Sequence, residues 1–281
     1  MTTSVVTVAT ALGAARKRIP PAEASLLLAE LSGQSKAWLI AHDDDLLPPD
    51  VMARFDDWVE RRERGEPVAY ILGWREFYGH RFGVAPGVLI PRPETELLVD
   101  EGLAAIAGRV APRILDLGTG SGCIAISLAL ARPDARVWAV DFSAAALKIA
   151  SANAAALGAG VEFVHSDWTD SLKERDFDLI VSNPPYIAPD DAHLGQGDLR
   201  FEPRTALAAA DAGLADLCRI VAAAGVLLKP GGCLLCEHGY DQAGFVREML
   251  VEEGFSPLQY RDLAGIVRVS GGRLEIGPPA A

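Results

Sequence analysis

The stretch Asp116-Leu117-Gly118-Thr119-Gly120-Ser121-Gly122 joins a short apolar, β-branched run to a longer apolar run, and few folds accept such a junction. Three alternating glycines permit backbone angles closed to other residues and a close approach of main chain to a ligand. The same rhythm continues on either side. Residues 114–117, 137–141, 161–165 and 177–182 read as strands, while 123–131 and 144–157 read as helices. Strands alternating with helices imply a mostly parallel sheet covered on both faces. A helix around 214–224, a strand at 232–237 and a helix at 242–253 extend the pattern. The last two strand-like runs, 257–263 and 265–269, read as an antiparallel hairpin at the sheet edge.

The beginning of the chain is different. Residues 1–75 show helical spacing, as in Ala24, Leu27, Leu28 and Leu31 or Val51, Phe55, Trp58 and Val59, with almost no strand signal. Pro48-Pro49-Asp50 is expected to open a helix that Gly65 to Pro67 would close. From Phe77 to Ile90 aromatic and β-branched residues broken by Gly79, Gly83 and Gly87 suggest a hairpin. The expected organisation is a small helical domain over 1–75, a β-hairpin linker over 76–91 and an α/β domain over 92–281. A chain of 281 residues is long enough for both domains.

Composition narrows the function. A formal net charge of -12 argues against a broad surface that neutralises nucleic-acid phosphates. No apolar stretch approaches the roughly 20 residues needed to span a bilayer. Met1 to Gly13 has no basic residue ahead of its apolar stretch, which is the wrong order for a secretory leader, so a cytoplasmic protein is expected. Of Cys123, Cys218, Cys233 and Cys236, only the last two are spaced like a metal or redox pair. They lie on an expected strand, where residues three apart face opposite ways, so both read as core residues. The five histidines lack metal-ligand spacing, and no metal site is expected.

Ligands of open α/β sheets bind beyond the carboxyl ends of the strands, which is where the glycine loop falls. Its G-x-G-x-G spacing departs from the dinucleotide fingerprint G-x-G-x-x-G, and it holds no basic residue for a pyrophosphate. Asp141 ends the next strand, where a carboxylate can accept both ribose hydroxyls of an adenosine. An adenosine-containing ligand other than a dinucleotide fits these features, with a structural tight turn as the competing reading.

Asn183-Pro184-Pro185-Tyr186 follows the strand at 177–182 and so emerges at the same sheet edge. The two prolines stiffen the loop and remove two N–H donors. A planar NH₂ group is a poor nucleophile with two hydrogens to donate. The Asn183 side-chain oxygen and the Pro184 carbonyl can accept one each, and Tyr186 can cover the flat face. With a sulfonium methyl donor, alignment supplies most of the catalysis and no strong base is needed.

These residues resemble the class I methyltransferase glycine motif and the catalytic motif of amino-methyltransferases. Further segments resemble the PrmC (HemK) family of glutamine methyltransferases over nearly the whole chain. They are Phe77-Tyr78-Gly79, Leu89-Ile90-Pro91-Arg92-Pro93-Glu94-Thr95-Glu96, Phe201-Glu202-Pro203-Arg204 and Glu237-His238-Gly239. The resemblance implies a Rossmann-like, seven-stranded sheet and transfer of a methyl group from S-adenosylmethionine, leaving S-adenosylhomocysteine. The acceptor it implies is N5 of the glutamine in the Gly-Gly-Gln motif of class I peptide chain release factors, a modification that tunes translation termination. It puts donor contacts on Gly118, Thr119, Gly120, Ser121, Gly122, Asp141, Trp168 and Asn183, and the substrate glutamine on Asn183, Pro184, Pro185 and Tyr186. Trp168 can pack its face on the adenine or serve only as a packing residue. Arg92, Glu94, Glu202 and Arg204 can touch substrate or form a structural ion-pair network. A monomer is expected, with the helical domain docking the release factor. The competing functions are methylation of a base amine in nucleic acid, which the acidic charge disfavours, and a non-catalytic binding module, which the intact Asn183 and Asp141 disfavour.

Overall fold

The computed structural model describes residues 6–275, so the first five residues of the stretch weighed as a leader lie outside it. The chain forms two compact units. One holds the residues up to Trp74 together with Gly197–Phe201, and the other holds the rest.

The first unit contains α1 (Val8–Ala15), α2 (Pro21–Ser32), α3 (Lys36–Ala41), α4 (Pro49–Glu63) and α5 (Val68–Leu72). Local chemistry sets their ends. Pro21 and Pro49 occupy first-turn positions where the missing N–H costs nothing. The Ser35 hydroxyl accepts from the Trp38 N–H at 3.0 Å, and Gly33 ends α2 in the left-handed conformation. Leu27, Leu28, Leu39, Phe55 and Val59 form the buried interior. Arg62 pairs with Glu23 at 2.6 Å and with Asp198, from the returning segment, at 2.9 Å.

The second unit opens at Arg75, inside the hairpin of β1 (Trp74–Phe77) and β2 (His80–Gly83). Tyr78 and Gly79, with φ of 50° and 74°, make the two-residue turn. Phe77 and Phe82 meet edge to face, with ring centroids 6.0 Å apart, and are buried in the same core as the sheet.

That sheet has seven strands, β3 (Arg113–Leu117), β4 (Arg136–Asp141), β5 (Val161–His165), β6 (Phe177–Ser182), β7 (Leu228–Glu237), β8 (Phe255–Arg261) and β9 (Val267–Leu274). Their order is β5-β4-β3-β6-β7-β9-β8, and only the pairings of β9 are antiparallel. This is the Rossmann-like, mostly parallel sheet expected. Side chains alternate between two cores. Ile114, Leu179, Val181, Cys233 and Leu235 face α6 (Glu96–Ala105), α7 (Cys123–Ala131) and α8 (Ala144–Leu157). Leu115, Leu117, Ile180, Leu234 and Cys236 face the other way, toward α10 (Ala215–Leu227) and α11 (Ala243–Glu252), which follow the short turn α9 (Ala210–Gly213). Cys233 and Cys236 therefore belong to opposite cores. Among the described residues no cluster could hold a metal, and no helix is long and apolar enough to cross a membrane.

The closing hairpin is antiparallel as expected, but β9 lies between β7 and β8 and runs five residues past the expected end at 269. The Gly271-Gly272 pair lies in this extension. In the sheet it is what allows close approach, since a Cβ on Gly271 would stand 1.9 Å from the Leu234 carbonyl oxygen. Gly225, inside α10, has nothing within 4 Å of the equivalent point. Gly271→Ala should therefore lower unfolding free energy by about 1–3 kcal/mol or more. Gly225→Ala should raise it by about 0.4–1 kcal/mol. Urea unfolding of both variants checks this, and equal midpoints would show that β9 has room to spare.

Candidate active site

The chain builds β3, β4 and β5 outward in one direction and then returns to place β6 on the other side of β3. At such a switch point the loops leaving the two central strands diverge and open a crevice. Leu117 on β3 is in register with Ser182 on β6, and the Ser182 hydroxyl donates to the Leu117 carbonyl at 2.7 Å. The next residue on each strand is Gly118 and Asn183, so the glycine loop and the Asn-Pro-Pro-Tyr loop start side by side.

A cavity of about 510 Å³ fills this crevice, lined by Gly118, Thr119, Gly120, Ser121, Asp141, Trp168, Asn183 and Pro185 among others. The volume is in the range of small-molecule and cofactor sites. Gly118, Gly120 and Gly122 have φ of 75°, 57° and 83°, which turns the loop tightly around the cavity floor. Gly122 is not among the lining residues. It faces Ile126 and Ala150, where a side chain would collide, so its part is to let α7 and α8 close on the loop.

Asp141 is buried at the end of β4. One of its oxygens accepts from the Gly120 N–H and the other from the Ser143 N–H, both at 2.8 Å. Each carboxylate oxygen has a second lone pair, so the group can still accept two hydroxyls. Burial pushes its pKa up, and the two backbone bonds oppose that rise. Asp116, fully buried beneath the loop, accepts from the Thr119 hydroxyl at 2.6 Å and the Ala125 N–H at 3.3 Å, both on one oxygen. The other oxygen has no hydrogen-bond partner among the described residues. Burial drives the pKa of Asp116 up to about 7.

Trp168 takes φ of 45°, turning its ring against Gly118, and its indole N–H donates to Asp216 at 3.1 Å. The ring both packs on the loop and lines the cavity. Arg92 lines the cavity and pairs with buried Glu202, whose second oxygen accepts from the Ile90 N–H at 2.9 Å. Glu202 thus clamps the wall formed by residues 87–92. Glu94 lies in the 3-10 turn Pro93–Thr95 before α6, and Arg204 opens the turn Arg204–Ala206.

The Asn-Pro-Pro-Tyr loop is held from behind. The Asn183 amide donates to the Thr95 hydroxyl at 3.2 Å. The Tyr186 hydroxyl donates to Glu237 at 3.1 Å, and the Tyr186 carbonyl accepts from Gln242 at 3.0 Å. Pro184 is buried, and neither it nor Tyr186 is among the lining residues. Sequence reasoning assigned no role to Thr95, Glu237, Gln242 or Asp216. The readable signal was a carboxylate closing the apolar strand Gly232-Cys233-Leu234-Leu235-Cys236-Glu237.

A doubly covered parallel sheet, a glycine loop at its switch point and a carboxylate ending the neighbouring strand define a class I methyltransferase. The comparisons agree. A methyltransferase small domain model matches residues 94–197, and a PrmC N-terminal domain model matches residues 7–73. A release factor glutamine methyltransferase of Bordetella pertussis is 54% identical over 91% of this chain and 96% of its own length. Those of Neisseria gonorrhoeae and Escherichia coli are 50% and 41% identical, each covering at least 90% of both chains. The chain belongs to the release factor glutamine methyltransferase family. In fold alone it is similar to a methyltransferase from Pyrococcus furiosus, with a TM-score of 0.55, 18% identity and coverage of 79% of this chain and all of that one.

The raised pKa of Asp116 has a signed consequence for stability. An unfolded Asp titrates near 3.9. A carboxyl whose folded pKa is higher contributes stability that is fully present below the unfolded value and is lost as pH rises through about 7. Ligand-free Asp116→Asn cannot lose that contribution, so between pH 5 and pH 8 its urea midpoint should fall less than that of the wild type. Parallel slopes would show that Asp116 does not titrate in this window.

Proposed function

We propose that the chain transfers a methyl group from S-adenosylmethionine to N5 of the glutamine in the Gly-Gly-Gln motif of class I peptide chain release factors, and so modulates translation termination. The observation that carries this reading is the juxtaposition of Gly118 and Asn183 on adjacent strand ends, fixed by the Leu117–Ser182 register. The relatives' shared name, release factor glutamine methyltransferase, supports the choice of acceptor.

The residues present fit the donor. Asp141 keeps two lone pairs for ribose hydroxyls, Trp168 offers an aromatic wall and the glycine loop lets backbone approach closely. Bound there, S-adenosylmethionine supplies a methyl group on a sulfonium, with a neutral thioether as leaving group. The chain's own task is to place the acceptor. The Asn183 Oδ1 and the Pro184 carbonyl each take one hydrogen of the glutamine NH₂, which fixes the nitrogen and aims its lone pair. Both acceptors also stabilise the positive charge that builds on nitrogen as it forms its bond to carbon. The nitrogen then passes one proton to water, which restores the neutral amide. Tyr186, held by Glu237 and Gln242, keeps the loop in shape and covers the flat face of the group.

We assign docking of the release factor to the helical unit over 1–75, linkage to the hairpin over 76–91 and catalysis to 92–281. The enzyme is taken to be a cytoplasmic monomer that grips its protein substrate without binding nucleic acid directly, in keeping with its acidic charge.

Labelled S-adenosylmethionine tests the reading. An intact release factor should accept label, and one with its Gly-Gly-Gln glutamine replaced should not; equal labelling of the two would overturn it. Asn183→Ala should lower turnover by about 100–1000-fold. Donor affinity measured by calorimetry should change only a few-fold, and an unchanged rate would remove Asn183 from the chemistry.

A further inference from the structure

An amide side chain has two ends of nearly equal shape and opposite polarity. If Asn183 turned by 180° it would present NH₂ to the substrate NH₂, donor against donor. Packing discriminates poorly between the two orientations, because oxygen and NH₂ fill nearly the same space. The choice has to come from hydrogen bonding behind the amide.

Against it lies a largely buried chain of polar groups from three elements far apart in sequence, of which Thr95 also lines the cavity. Thr95, just before α6, and Glu237, the last residue of β7, are each 2% exposed. The Thr95 hydroxyl donates to one Glu237 oxygen at 2.7 Å, and the Tyr186 hydroxyl donates to the other at 3.1 Å. An ionised carboxylate only accepts, and a threonine hydroxyl has a single proton. Once that proton points at Glu237, Thr95 faces Asn183 with lone pairs alone. Asn183 must then turn its Nδ2 toward Thr95, where it lies at 3.2 Å, and its Oδ1 faces the opposite way.

We propose that Thr95 and Glu237 are positioning residues that set the polarity of the Asn183 amide, so that its oxygen is the end offered to the nitrogen to be methylated. This rests on the glutamine-methylation reading given above. The same carboxylate serves both ends of the tetrapeptide, since its second oxygen holds Tyr186. Burial pushes the Glu237 carboxyl up and the negative charge of Glu94 adds to that rise, while the two hydroxyl bonds and the positive charge of Arg268 oppose it. The Glu-His-Gly and Pro-Glu-Thr-Glu segments thereby meet in one function that neither shows alone.

Two measurements test the lock. In ligand-free enzyme carrying ¹⁵N-asparagine, the Asn183 side-chain NH₂ signal is identified by its loss in Asn183→Ala. It should show a strong nuclear Overhauser contact to the Thr95 methyl group, and its absence would overturn the lock whatever the substrate proves to be. In labelled transfer at saturating donor, Thr95→Val should lower kcat by about 10–100-fold. Donor affinity should stay within a few-fold, and Thr95→Ser, which keeps the hydroxyl, should stay near wild type. In an Asn183→Ala background the Thr95→Val change should cost almost nothing more, because no amide remains to orient. An equal loss in both backgrounds, or a wild-type kcat in Thr95→Val, would overturn the proposal. A wild-type enzyme that leaves the release factor unlabelled would sink the proposed function, while the Overhauser contact would still decide the lock.

Discussion

The pairing of β3 with β6 is the constraint on which the site depends. These strands are 60 residues apart in the chain and come together only because the fold turns back after β5. Their register places Leu117 beside Ser182 and therefore Gly118 beside Asn183. A slip of one residue would exchange the two cores as well as separate the loops, because Leu115 and Leu117 face one core while Ile114 faces the other. Burial on both faces thus protects the alignment of the loops. The Ser182 hydroxyl on the Leu117 carbonyl fastens it at the point where the loops diverge.

Much of this arrangement is legible in the sequence, and the reason is local. Gly118, Asp141 and Asn183 each follow or end a short apolar strand, so strand direction alone carries them to one edge. The helical beginning of the chain shows itself through proline starts and a glycine stop. The rest depends on contacts between distant segments. Thr95 and Glu237 meet across 142 residues and Trp168 meets Asp216 across 48, and neither pairing leaves a periodic trace. The last strand is expected to stop at 269 for a related reason, since the purpose of Gly271-Gly272 appears only when β7 is seen beside it. Gly122 shows the converse, a motif residue whose side faces helix packing and not the cavity.

The two acids at the glycine loop divide labour by depth. Asp141 accepts from the Gly120 N–H of the glycine loop on one oxygen and from the Ser143 N–H after its own strand on the other, which leaves a second lone pair on each. Asp116, one layer below, organises the turn through Thr119 and the start of α7 through Ala125. The same residue type therefore lines the cavity at one level and is scaffolding at the next. Conserving charge while moving it by one layer would not conserve either task.

Asn153 on α8 joins two parts of the second unit that the chain order keeps apart. Its amide donates to the carbonyls of Gly83 and Ser121 and its oxygen accepts from the Gly83 N–H, so one side chain bridges β2 and the glycine loop. The hairpin and the loop thus share a rigid strut. The position of β2 and the shape of the cavity floor are therefore set by the same side chain.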